Sequence, residues 1–138
     1  MENQLIIYPA VIHIILILYL YIRARSNTVK AYKNREINKV YPKLYQGESP
    51  DYLENSRQTL KNQFELPIIF YFLISLIVAT GRVTFLDIIF AWLFVISRYI
   101  HCYVRLSSNY VPHRSKVFIG GVMFLTCGWI NFLVNIYP

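Results

Sequence analysis

Three ionisable side chains in the stretch "SRYIHCYVRL", Arg98, His101 and Arg105, stand at i, i+3 and i+7. On a helix that spacing puts them on one face. A second set, Gln58, Asn62 and Glu65 in "QTLKNQFELP", follows i, i+4 and i+7, and "VPHRSK" adds Arg114 with Ser115 beside it. Guanidiniums, an imidazole, amides and a single carboxylate make a pocket rich in positive charge with one acid. Such a pocket repels itself when empty, so an anionic ligand is its natural completion. Arginine suits that ligand because its planar fork grips a carboxylate in two places.

The elements that must position these groups are unusually apolar. Of 138 residues, 56% are hydrophobic, 17% aromatic and only 15% charged, and the mean hydropathy is +0.39. A soluble domain of this length needs more polar cover. Four segments emerge, and the pattern predicts helices at about 5–22, 50–80, 83–106 and 114–136, joined first by a loop at about 23–49, in one domain over 1–138. Each approaches the ~20 residues that cross a hydrocarbon core of about 30 Å. The fold class is therefore an all-α integral membrane protein, a four-transmembrane-helix up-down bundle embedded in lipid.

The net charge of +7 points to topology rather than to nucleic acid, because the basic residues collect between the apolar blocks. The first connection carries most of them, and the third holds Arg105, Arg114 and Lys116, against Arg82 alone in the second. By the positive-inside rule both termini are non-cytoplasmic and the polar pocket faces the cytoplasm. The first segment lacks a basic n-region and a small-residue cleavage site, so it reads as an uncleaved membrane helix.

Local signals refine the picture. "ESPDY" reads as a helix start, with Ser49 capping, Pro50 in the first turn and Asp51 at the positive end. Pro67 removes a donor and crowds the carbonyl of Gln63, which predicts a bend beside Glu65. A guanidinium inside an apolar segment needs a partner, and Glu65 is the nearest acid to Arg98 by depth. Two plainer readings stand beside the pocket: Glu65 paired with Lys61 at headgroup level, or an Arg98–Glu65 pair that only fixes packing. His13 reads as an interhelical hydrogen-bonding group, Asp87 as a cap or a partner of Arg82, and Gly120 and Gly121 as a close-packing site. Cys102 and Cys127 read as packing residues with no metal-type spacing.

"NQFELP", "RYIHCYV" and "VPHRS" together resemble the family of membrane-associated proteins in eicosanoid and glutathione metabolism (MAPEG), of microsomal glutathione transferase type. "NQFELPIIFY" looks most like a bacterial branch. The resemblance covers nearly the whole chain and implies a homotrimer in the bacterial inner membrane, with glutathione as co-substrate between subunits. By matching position, Asn62 and Glu65 would meet the glutathione backbone and amino group. Arg98 would support Glu65 or a carboxylate, and Arg114 would lie near the sulfur as the catalytic residue. Gln58, His101, Arg105 and Ser115 complete the binding set. Two positions depart from the pattern: Gln58 stands where the transferases carry Arg, and Arg105 where Tyr is common.

The expected function is conjugation or reduction of hydrophobic electrophiles or lipid peroxides by glutathione thiolate. An alternative is a non-catalytic lipid- or thiol-binding scaffold. A small four-helix exporter is the third, although such proteins usually place the coupling Glu in the first helix, where only His13 is ionisable here.

Overall fold

The computed structural model describes residues 2–136, with side chains from position 4 onward. Its elements are α1 (Glu2–Leu5), α2 (Ile7–Lys33), α3 (Tyr41–Leu44), α4 (Asp51–Lys61), a 3-10 turn (Asn62–Phe64), α5 (Leu66–Thr80), α6 (Phe85–Leu106) and α7 (Val111–Ile136). No strand occurs among the described residues. Four stretches are long and apolar enough to cross a membrane: α2, α4 through α5, α6 and α7. Their outer faces are apolar, with Ile22 71%, Phe85 76% and Val134 71% exposed. In water such a surface would be a liability; in lipid it is the expected exterior.

The first helix runs eleven residues past the expected end at 22. Nothing in 23–33 breaks a helix, and α2 continues because it has a partner: Ala24 and Ala31 are buried, and Asn27 Nδ2 donates to Ser56 Oγ of α4 at 2.6 Å. At ~1.5 Å per residue α2 is about 40 Å long, beyond a ~30 Å core. Lys30 and Lys33 lie in its last turn, where cations complement the helix dipole. The following segment folds back and buries Ile37 and Tyr41 with Ala31 and Leu53. Tyr52 donates its hydroxyl to Glu36 at 2.5 Å, a bond that holds the Glu36 carboxyl below its usual range.

At the start of α4 the structure corrects the capping expectation. Pro50 is itself the N-cap, with φ −65° and ψ 147°, and no side chain caps the end. Proline's fixed φ serves that boundary, which leaves Ser49 one position too early. Asp51 and Glu54 still occupy the positive first turn. The bend near Pro67 is larger than a kink. The chain tightens to a 3-10 turn, Glu65 adopts φ −98° and ψ −92°, and α5 restarts with Pro67 in its first turn.

Asp87 is a cap and not the partner of Arg82. Thr84 and Asp87 form a reciprocal capping box, and Asn131 Nδ2 of α7 donates to Asp87 Oδ1 at 2.7 Å. Arg82 instead donates to the carbonyl of Ile136 at 3.1 Å, at the negative end of α7. Helices α6 and α7 approach closely at Gly121, where an added Cβ would fall 2.5 Å from Ser97 Oγ and 2.7 Å from Arg98 Nη2. Gly120 has nothing within 4 Å. Of the two cysteines only Cys102 is buried; Cys127 is exposed on the outer face, contrary to the packing expectation.

His13 behaves as expected for an interhelical bonding group. It is fully buried, with Nδ1 2.7 Å from the Tyr71 hydroxyl and Nε2 3.2 Å from Gln63 Oε1. Gln63 also donates to the carbonyl of Thr59 (3.1 Å) and to Cys102 Sγ (3.3 Å). One amide thus ties the helix break to both α2 and α6.

Candidate functional site

The break between α4 and α5 stands opposite the last turns of α6 and the first turn of α7, and the predicted residues gather there in two adjoining hollows. The smaller, about 370 Å³, is lined by Asn62, His101, Arg105, Arg114 and Ser115 over a floor that includes Phe118. The larger, about 780 Å³, lies between α2 and α4 and includes Gln58, Asn62 and Glu65 with Arg25, Arg57 and Lys61. Asn62 belongs to both.

Arg105 joins the two. Its Nη2 donates to Gln58 Oε1. With the Asn62 amide turned to satisfy its neighbours, Asn62 accepts from Arg105 Nη1 at 2.8 Å and donates to the Gln58 carbonyl at 3.2 Å. Arg105 is buried and its Nε has no partner. Its hydrogen-bond partners are therefore neutral amides, which leaves the guanidinium able to take an anion as a direct partner.

Arg114 is held from the turn before α7. Its Nη1 donates to Asn109 Oδ1 at 2.5 Å, and Asn109 in turn meets Asn55 Oδ1 of α4 at 3.4 Å. Asn109 has φ 48°, a left-handed conformation that asparagine tolerates better than most residues. His101 Nδ1 faces the Arg114 carbonyl at 3.3 Å. A carbonyl can only accept, so Nδ1 carries a hydrogen, and the ring's other nitrogen is Nε2. That Nε2 is buried without a partner.

Arg98 and Glu65 do not meet. Arg98 is fully buried, as its apolar segment required, but its guanidinium lies 5.1 Å from the Phe118 ring centroid and 5.5 Å from that of Phe94. All three of its nitrogens lack hydrogen-bond partners. Glu65 is exposed on the larger hollow, and the only ion pair among the described residues is Arg57–Glu54, at 3.4 Å. The Lys61 pairing considered for Glu65 is absent as well. The helix break explains this: a continuous helix would align 58, 62 and 65 on one face, whereas the 3-10 turn and the irregular Glu65 backbone interrupt that alignment and leave Glu65 exposed.

Several site residues were missed from sequence. Arg25 and Arg57 reach the larger hollow because α2 continues past the apolar run and α4 packs on it. Asn109 carried a signal, an asparagine in the turn "SSNY". Gln63, which lines neither hollow but ties the helix break to His13 and Cys102, also carried one, as an uncharged amide beside a long apolar run.

A helical membrane bundle with a cationic polar site at one end fits more than one kind of protein, and the comparison of the whole chain decides among them. A model of the MAPEG family matches residues 6–134. The chain belongs to that family. No curated protein and no solved structure matches the chain significantly. As a MAPEG protein with four apolar spans it is an integral multi-pass membrane protein of the general glutathione- and eicosanoid-metabolism type.

Proposed function

We propose that the protein binds glutathione at the Asn62–Arg105–Arg114 hollow and uses its thiolate on hydrophobic electrophiles or lipid peroxides. One observation carries the reading: Arg105, His101 and Arg114 converge on a single hollow that no carboxylate lines. A tripeptide with two carboxylates and a thiol supplies the anionic groups that this cluster lacks. Its free amino group finds Glu65 in the adjoining hollow.

Arg105 answers the departure at Gln58. The guanidinium expected on α4 by resemblance arrives from α6, and Gln58 and Asn62 orient it. Arg114 is the group assigned to the sulfur. A free thiol titrates near ~8.5, and a fixed cation beside it stabilises the thiolate. In conjugation that thiolate forms the carbon–sulfur bond while the electrophile expels its leaving group, or takes up a proton if the reaction is an addition. In peroxide reduction the thiolate takes the terminal oxygen as a sulfenic acid while the O–O bond breaks and the alkoxide leaves, taking up a proton, as the lipid alcohol; a second glutathione thiol then closes the disulfide with loss of water. His101 orients the Arg114 backbone, and Ser115 offers a hydroxyl at the same rim. Arg98 lies behind Phe118 and sets the field of the site without lining it. The homotrimer, the cytoplasmic position of the site and the bacterial inner membrane complete this reading.

A second reading, binding without turnover, is favoured by the Asn109 bond that occupies Arg114 Nη1. Calorimetric titration of purified protein with glutathione, with thiolate absorbance and a chromogenic electrophile followed in parallel, separates the two. Binding with thiolate and turnover supports the transferase. Binding alone supports the scaffold, and no binding refutes both.

A further inference from the structure

A third hollow, about 390 Å³, lies on the other side of α6, in the groove between α2 and α6. Its size falls within the ~300–1,000 Å³ of ordinary small-molecule sites. Leu16, Leu20 and Leu106 give it an apolar wall with Cys102 at the base. Tyr19 and Tyr103 are more than half exposed along its rim, as aromatic side chains at a membrane interface are. One end is different in kind. There Arg23 and Ser107 line the groove, and no Asp or Glu does.

Arg23 is half-buried at that end of the groove. Its Nη1 donates to the Tyr19 hydroxyl at 3.1 Å, and its Nε is buried with no partner. The Ser107 hydroxyl donates to its own helix at Tyr103 O, 2.7 Å away, so the free donor capacity at that end belongs to the guanidinium. Arg23 is also the first charged residue after the apolar run of α2, which places it at headgroup depth. Along α2 the seven steps from Leu16 to Arg23 span about 10 Å, enough for the upper part of an acyl chain.

We propose that the α2–α6 groove holds one anionic phospholipid, its phosphate on Arg23 and an acyl chain along Leu16, Leu20 and Leu106. The occupant is a lipid because the site joins an apolar trough to a single cation at interfacial depth, and an uncompensated cation selects a net negative headgroup over a zwitterionic one. The leaflet is the one at the basic end of the bundle, where anionic headgroups and Lys/Arg-rich connections attract each other. The site lies apart from Asn62, Arg105 and Arg114, and it stands whether or not glutathione binds there.

The test is native mass spectrometry of the full chain in mild detergent, titrated with phosphatidylglycerol and with phosphatidylcholine of identical chains. One tightly held lipid per chain is expected, with phosphatidylglycerol preferred about fivefold, the effect of one interfacial cation. Arg23→Gln should erase that preference, and Leu20→Trp should weaken both lipids by filling the trough. Lys43→Gln, a cation on α3 that does not line the groove, should change neither. The proposal is overturned if neither lipid is retained, if the preference survives Arg23→Gln, or if Lys43→Gln lowers it equally. Efficient cross-linking between copies of a Tyr103→Cys variant in native membranes would also overturn it, by putting a second chain on the groove.

Discussion

Replacing Gly121 by alanine tests the tightest helix contact and, through it, the seat of Arg98. An alanine Cβ would lie 2.5 Å from Ser97 Oγ and 2.7 Å from Arg98 Nη2, both inside contact distance. Neither neighbour yields cheaply: Ser97 Oγ donates to Phe94 O at 2.6 Å, and the Arg98 guanidinium is enclosed by Phe94 and Phe118. Overpacking of this kind costs about 2 kcal/mol. Alanine gains up to ~1 kcal/mol of helix propensity over glycine, which leaves a net loss of about 1 kcal/mol. Gly120→Ala receives the same propensity gain and meets nothing within 4 Å. The two variants should therefore differ by about 2 kcal/mol in reversible unfolding by sodium dodecyl sulfate from mixed micelles. In an Arg98→Met background one of the two clashes goes, and the difference should fall to about 1 kcal/mol. Equal stabilities for the two alanine variants would refute the close approach, and an undiminished difference in the methionine background would refute the part assigned to Arg98.

Arg105→Gln should weaken glutathione binding about tenfold or more by calorimetry, since a charge-assisted hydrogen bond contributes about 1.5–3 kcal/mol, with little change in stability. Arg114→Ala should lower the thiolate absorbance of bound glutathione and the conjugation rate at least tenfold while affinity changes less, because the charge acts on the sulfur. Gln63→Leu leaves His13 Nε2 with no bond to the helix break and should cost about 1–3 kcal/mol, read in the same micelle titration; a loss no larger in wild type than in a His13→Leu background would show that the two do not interact. The folded carboxyl of Glu36 is held low by its Tyr52 and Asn34 bonds. Its contribution is thus complete above the ordinary value of 4.5 and is lost as pH falls through the lower folded value. Normalised hydrogen-exchange protection of residues 36–45 should drop at pH 3 relative to pH 6, and Glu36→Gln should remove that difference.

The sequence by itself determined the four apolar spans, the basic connections between them and the residue types of the site, because hydropathy and helical period are local properties. It also marked a bend beside Pro67, though not the full break that the structure shows there, and the close packing at Gly121, since missing donors and missing side chains have local consequences. Only the tertiary structure decided how far α2 extends, because Arg23 to Lys33 look like a polar loop until α4 provides a surface to pack on. It likewise decided the partners. Depth alone suggested Glu65 for Arg98, but the 3-10 turn changes the rotation per residue, so Glu65 turns away while Asn62 and Gln58 receive Arg105. Spacing along a helix predicts a shared face only while the helix continues, and here the functional residues straddle the point where it stops.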